Sequence, residues 1–190
     1  MTSDELMVLH ALRCMGWAGL PRVAGACGLA EGDVESTLLD LAVSGLVTYL
    51  PGDFSGWGVT EAGKEVDAAR VTEELAAAGA GESVGAAYGE FVVLNAELLD
   101  LCTVWQLRTV ERSRVLAGFG VFDQRAAGVI ADLAAALPRF ARYRTRLGAA
   151  LERARAGAFE HLADSLDSYH AVWFQLHEDL LVTLGIPRSS

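Results

Sequence analysis

The side chains best suited to chemistry lie near the C-terminal end of the 190-residue chain, in the stretch DSYHAVWFQLHEDLL. His170 and His177 are seven residues apart and flank Trp173, so a helix would place both histidines on one face. Imidazole can bind a metal ion or exchange protons near neutral pH. Seven helical residues rise about 10.5 Å, however, which is too far for both histidines to hold one ion. These histidines therefore predict no metal site.

A further polar residue, Asn95, lies at helical spacing from Phe91, Leu98 and Trp105. A polar side chain on an apolar stripe must find hydrogen-bond partners or border a cavity. Two interpretations stay open. In the first, a pocket orients a small anion or a partner's side chain; in the second, each polar group is satisfied inside a packed core. The candidate pocket residues are Asn95, Trp105, His170, Trp173 and His177.

The stretch PRFARYRTRLGAALERAR is the electropositive part of the chain. Four arginines fall near one helical face and form a candidate anion-binding surface, namely Arg139, Arg142, Arg146 and Arg153. Guanidinium groups bind phosphates well. Two alternatives are a solvated arginine face and ion pairing with acidic residues of the same or a partner chain.

Motifs for catalysis are missing from the sequence. It has no nucleophile elbow, no HExxH, no Walker loop, and no glycine fingerprint in the right context. The three cysteines, Cys14, Cys27 and Cys102, are far apart and lie among apolar neighbours, which indicates neither disulfides nor a CxxC zinc site. We expect no enzymatic activity, no cofactor and no metal.

Charge is distributed unevenly along the chain. The formal net charge is −10 and the isoelectric point about 4.8. Residues 1–75 hold four basic and twelve acidic side chains, so most of the excess acid lies there. This balance disfavours nonspecific attraction to nucleic acid or anionic lipid. The sequence has no signal peptide and no apolar run of about 20 residues, so we expect a cytoplasmic protein without membrane contact.

The N-terminal third has the pattern of three helices followed by a hairpin. Thr2 and Glu5 can form a capping box, Pro21 can open a second helix that ends at Gly28, and a third runs from about Glu31 to Ser44. Two strands then flank a turn, at 46–50 and 57–59. Thr60 can cap the next helix.

This order, with the phrases SGLV and GWGVTEAGKE, resembles the winged helix-turn-helix domain of MarR-like bacterial regulators. The resemblance implies DNA binding through the third helix and the wing, and a two-fold homodimer. We expect the pairing to use the helical half, where the broad apolar surface of the last helix serves either as the centre of the bundle or as a dimer interface.

The third helix, however, carries carboxylates where a DNA reader needs Arg, Lys, Asn or Gln. Four acids facing the phosphate backbone would repel it. The candidate surface for DNA or a protein partner is Asp33, Ser36, Thr37, Asp40, Asp53 and Phe54. An alternative partner is a basic protein surface.

The chain is predicted to divide into three parts. A winged helix-turn-helix domain covers 1–78, a Gly/Ala linker covers 79–87, and an α-helical domain covers 88–190. We expect helices over 88–108, 123–137 and 138–155, and a last one from after Gly157 to Leu184, with 109–122 irregular and Asp123 as a cap. The fold class is mainly α, with a small β-hairpin wing and an all-α bundle.

The helical half also resembles a module of actinobacterial phosphoenolpyruvate-utilising proteins related to pyruvate phosphate dikinase. The matching positions are Asn95, Glu97, Trp105, Gln106, Arg139, Tyr143, Tyr169, His170, Trp173, His177 and Glu178. This resemblance implies an accessory module of a phosphotransfer enzyme. Two functions therefore stay open: a transcriptional regulator with a helical sensing or dimerisation domain, and a protein-interaction module that does not read DNA.

Overall fold

The computed structural model of the chain describes residues 2–52 and 55–187. Its contacts divide the chain into two compact units, one formed by residues 1–79 with 178–190 and the other by 80–177. The prediction of a mainly helical protein with a small hairpin is confirmed. The α-helical domain was predicted to run over 88–190, but residues 178–187 group with the first unit.

The first unit alternates helices with a small sheet. Its elements are α1 (Asp4–Met15), β1 (Trp17–Ala18), α2 (Leu20–Cys27), α3 (Glu31–Val43), β2 (Val47–Leu50), β3 (Gly56–Val59) and α4 (Glu61–Ala77). The strands form an antiparallel sheet in the order β1-β3-β2. Strand β1 was not predicted, because two residues carry no periodic signal.

Local signals explain most of these boundaries. Gly28 ends α2 in the left-handed conformation, with φ of 71°. Thr60 caps α4 by accepting from the Gly63 N–H, and its hydroxyl lies 2.8 Å from the Gly45 carbonyl oxygen, to which it donates. The cap of α1 is Ser3, which accepts from the Leu6 N–H, so the capping box predicted at Thr2 is wrong by one residue.

The core of the first unit collects one apolar face from each helix. Its fully buried members include Val8, Leu9, Leu12, Val23, Val34 and Leu38. Trp17 lies opposite Gly58 across the sheet, and its ring packs where a Cβ of Gly58 would stand. In α3, the residues Val34 and Leu38 belong to this core, and the opposite face of the helix is exposed to solvent.

The second unit is helical. It contains α5 (Gly81–Leu107), α6 (Arg112–Ala136), α7 (Ala141–Arg155) and the first part of α8 (Tyr169–Leu184), with short 3-10 turns at Pro138–Phe140 and Phe159–His161. Aromatic rings fill its core: Phe91 stacks on Trp173 with centroids 4.5 Å apart, and Phe122 meets the same indole edge-on at 5.1 Å.

Three predicted boundaries differ from the structure. Residues 81–87 of the predicted linker form the first turns of α5, because its buried Val84 and Ala87 continue the apolar stripe. The segment predicted as irregular, 109–122, is largely helical within α6. The last helix begins at Tyr169 rather than after Gly157.

Asp123 lies inside α6 and does not cap it. Its carboxylate accepts two hydrogen bonds from Arg144, both 2.7 Å long, and a third from the hydroxyl of Tyr169 at 3.0 Å. A charged group can occupy a buried helical position when it is paired in this way.

Candidate functional site

The outer face of α3 is acidic and exposed. Its four carboxylates belong to Glu31, Asp33, Glu35 and Asp40, and all four residues are solvent exposed. No lysine or arginine occurs in α3. We call this surface the acidic α3 face. Its charge opposes a duplex that carries one phosphate charge per about 1.7 Å of its axis.

The two predicted hydroxyl donors of this surface, Ser36 and Thr37, differ in their exposure to solvent. Ser36 is exposed. Thr37 is half-buried, and its hydroxyl donates to the Asp33 carbonyl oxygen at 2.9 Å, so its proton is already used inside the helix. Asp53 and Phe54 lie outside the described residues.

Exposed apolar side chains adjoin the acidic α3 face. Leu39 of α3 is 54% exposed, and Tyr49 of β2 is 50% exposed. The Tyr49 ring packs against Trp57 of β3 with centroids 5.1 Å apart. A groove in the first unit is lined by Leu20, Pro21, Leu39, Tyr49 and Trp57, together with Glu35. The same surface therefore offers carboxylates and a concave apolar strip.

The predicted anion-binding arginines do not form one open face. Arg139 is buried, with its guanidinium carbon 4.5 Å from the centroid of the Phe140 ring. Arg142 is half-buried, 5.1 Å from the Tyr143 ring centroid, and Arg146 donates to the Gln175 side-chain oxygen at 2.5 Å.

Arg153 is exposed, but it is paired with Asp167 at 2.7 Å. Three of these four arginines thus contact aromatic rings or an amide side chain of the second unit. This packing is the physical reason why the helix does not present them as a phosphate clamp.

The predicted pocket residues are only partly brought together. The Trp173 indole N–H donates to the Asn95 side-chain oxygen at 3.1 Å. His177 packs near Phe91, with ring centroids 5.2 Å apart. Trp105 donates instead to Asp164 at 2.9 Å, so it does not join the Asn95 group.

His170 is half-buried, and burial lowers its pKa below the ordinary value of 6.5. The imidazole is therefore mostly neutral at neutral pH. For Asn95 and Trp173, their hydrogen bond favours the second interpretation from the sequence, in which polar groups are satisfied within a packed core.

A different polar cluster, which the sequence did not single out, lies inside the first unit. His10 of α1 is 1% exposed, and Asp67 of α4 and Asp179 of α8 are fully buried. Both Asp67 oxygens lie 3.0 Å from His10 Nδ1. Nε2 of the same ring lies 3.0 Å from Asp179 Oδ1 and 3.6 Å from Cys14 Sγ. We call these four residues the His10 cluster.

The surroundings of the His10 cluster favour its charged form. Burial alone would lower the pKa of His10, but the Cys14 sulfur and the carboxylates of Asp179 and Asp67 outweigh burial and raise that pKa well above 6.5. Arg13 Nε lies 3.5 Å from Asp67 Oδ2 and compensates part of the negative charge. The cluster ties α1, α4 and α8 together through buried ion pairs.

Comparison of the chain with models of protein families, with curated proteins and with solved structures finds no match to any of them. Within residues 2–52 and 55–187, no helix has the length and apolar character needed to cross a bilayer. The geometry of the chain itself therefore carries the functional argument.

Proposed function

We propose that the first unit is a winged helix whose acidic α3 face binds a basic segment of a partner protein rather than DNA. The order of helices and strands and the three-stranded antiparallel sheet support the winged-helix part of the proposal. The single observation that carries the choice of partner is the exposure of four carboxylates on α3, with no cation in that helix.

Charge complementarity sets the chemistry of the partner. Carboxylates on an exposed helix attract Arg and Lys, and the exposed Leu39 and Tyr49 add apolar contact area beside them. The partner is therefore an amphipathic basic helix or strand, with arginines toward α3 and an apolar anchor in the groove.

The arginine run of this chain is a poor candidate for that role. Arg139 is buried, and Arg153 is already paired with Asp167. The basic segment therefore belongs to another protein. The resemblance of the helical half makes a phosphoenolpyruvate-utilising enzyme the first full-length partner to test. We assign no catalytic step to this chain itself.

Charge reversal tests the proposal. A triple variant should no longer bind an arginine-rich amphipathic peptide in fluorescence anisotropy at low salt; it combines Asp33→Lys, Glu35→Lys and Asp40→Lys. A matched control changes the exposed residues Glu82, Glu90 and Asp132 of the second unit to lysine, which alters the net charge equally. Equal peptide affinity in the wild-type protein and the α3 variant would overturn the proposal.

The second candidate function is a DNA-binding regulator, which the helix order and the hairpin favour. Such a regulator acts as a two-fold dimer. The apolar residues of α8 that were expected to pair two chains, including Trp173 and Leu176, are buried within the chain. We propose that a homodimer uses instead the outer side of α5, where Val92 and Leu99 are both 47% exposed.

Light scattering tests the dimer proposal. Leu99→Glu should convert a dimer into a monomer, because it places a charge in an apolar contact. A wild-type protein that is already monomeric at about micromolar concentrations, where specific interfaces form, would refute pairing through α5.

A further inference from the structure

We propose that the His10 cluster is a binding site for a single divalent transition metal ion, with zinc as the best fit. The ligands are His10 Nε2, Cys14 Sγ and a carboxylate oxygen of Asp179. All three residues are buried, and their ligand atoms lie within 4.8 Å of one another. Imidazole nitrogen, thiolate and carboxylate are the ligand set that zinc uses in proteins.

The distances between ligand atoms are close to those of a zinc coordination sphere. Bonds of about 2.0–2.3 Å to N, O and S place neighbouring ligand atoms about 3.4–3.6 Å apart in a tetrahedron. His10 Nε2 and Cys14 Sγ are 3.6 Å apart, and Nε2 and Asp179 Oδ1 are 3.0 Å apart. A shift of about half an ångström of the Asp179 side chain would bring the Nε2–Oδ1 separation into this range.

Helical spacing explains how two ligands come from one element. His10 and Cys14 are four residues apart on α1 and therefore point to the same side. Asp179 reaches them from α8, 165 positions after Cys14 in the sequence. The site forms only when the C-terminal segment packs on α1, so the metal would stabilise this packing.

The residues around the ligands match the outer shell of a metal site. Asp67 lies against His10 Nδ1, on the side of the ring away from the three ligand atoms, as carboxylates do behind metal-binding histidines. It fixes the proton on Nδ1 and turns the Nε2 lone pair toward the ion. The Thr183 hydroxyl donates to the Asp179 carbonyl oxygen at 2.7 Å, and its oxygen lies 3.1 Å from Asp179 Oδ1, beside that carboxylate.

Charges balance with the metal bound. Binding of M²⁺ displaces the proton on Nε2 and the thiol proton, and both leave to solvent. The ion then faces one thiolate and the Asp179 carboxylate, while Asp67 is compensated by Arg13. A surface groove of the same unit is lined by Arg13, Ala68, Leu181 and Val182, which are neighbours of the cluster residues along α1, α4 and α8.

Cobalt titration of the full-length protein tests the site. Protein purified under reducing conditions with a chelator, then freed of the chelator, should bind one equivalent of Co²⁺ and show a thiolate-to-cobalt charge-transfer band. Cys14→Ser should lose that band. The matched variants Cys27→Ser and Cys102→Ser should keep it, because neither cysteine belongs to the cluster.

A second variant tests the outer shell. Asp67→Asn should keep the stoichiometry of one ion but weaken the affinity by about 10–100-fold. Absence of the charge-transfer band in the wild-type protein would overturn the proposal and leave a hydrogen-bonded imidazolium cluster. A band that survives Cys14→Ser would overturn it as well.

X-ray absorption of the zinc-loaded wild-type protein does not depend on how any variant folds. It should show one sulfur and otherwise nitrogen or oxygen neighbours. A shell without sulfur would contradict the assigned ligands.

Discussion

Replacement of Asp67 by asparagine probes how strongly the His10 cluster holds the first unit. The change keeps the shape of the side chain and removes its charge. Asp67 is fully buried, with both oxygens 3.0 Å from His10 Nδ1 and Oδ2 3.5 Å from Arg13 Nε. Loss of one partner from a buried ion pair costs about 3–5 kcal/mol.

The asparagine carbonyl retains part of this interaction. It can still accept from the Nδ1 proton, and such a hydrogen bond contributes about 1 kcal/mol. We therefore expect the free energy of unfolding of the first unit to fall by about 2–4 kcal/mol. Asp67→Ala removes this acceptor too, so the loss of unfolding free energy should lie at the upper end of this range.

Hydrogen exchange of the α1 amides, followed by mass spectrometry in the presence of a chelator, measures this loss within the unit itself. A loss of about 3 kcal/mol corresponds to roughly a hundredfold faster exchange when these amides exchange through unfolding of the unit. The control is Glu5→Gln, which removes an exposed ion pair with Arg70 and should change stability by about 0–1 kcal/mol. An Asp67→Asn protein as stable as this control would refute the reasoning.

Three further predictions concern single residues. Gly63→Ala should lower the free energy of unfolding by about 1–3 kcal/mol in thermal melts, because its Cβ would stand 2.0 Å from the Leu46 carbonyl oxygen. Gly85→Ala, with nothing nearby, should not lower it. Burial, helped by the charge of Asp164, raises the pKa of Cys102 to about 12, so mass spectrometry should find this thiol unalkylated at about pH 8 until urea unfolds the protein. Burial lowers the pKa of His170 in the folded protein. As the pH falls below about 6.5, the unfolded chain therefore binds a proton at His170 more readily than the folded protein does, and the free energy of unfolding decreases. His170→Gln should reduce this drop in urea titrations at two pH values, and an unchanged slope would contradict the assigned burial.

Local signals predicted much of the first unit. The cap at Thr60, the glycine that ends α2 and the pair of strands around a tight turn are short-range features, and each has a residue type that its backbone conformation requires. Strand β1 has only two residues and exists because β3 pairs with it. A long-range partner of this kind leaves no trace in local periodicity.

The acidic α3 face was visible in the sequence, since helical spacing alone shows which residues point outward. The His10 cluster was not, because its members lie on α1, α4 and α8. A signal was nevertheless present. Asp67 shares a helical stripe with Gly63 and Val71, and it is a charged residue on a buried face. The criterion that singled out Asn95 would have found it.

The packing of the arginines was hidden from the sequence for a related reason. Spacing predicted that Arg139, Arg142 and Arg146 lie together, but it could not predict that aromatic rings would occupy the same side of the second unit. Arginine stems pack readily on rings, so a run of arginines does not by itself indicate a free cationic surface.

The most direct test of the proposed function compares two ligands on the wild-type protein. Fluorescence anisotropy at about 50 mM salt, where phosphate contacts contribute most, would be measured with an arginine-rich amphipathic peptide and with duplex DNA from the region upstream of the coding sequence. The acidic α3 face predicts binding of the peptide that weakens with salt, and no binding of the duplex. Firm, salt-dependent binding of the duplex without binding of the peptide would contradict the account.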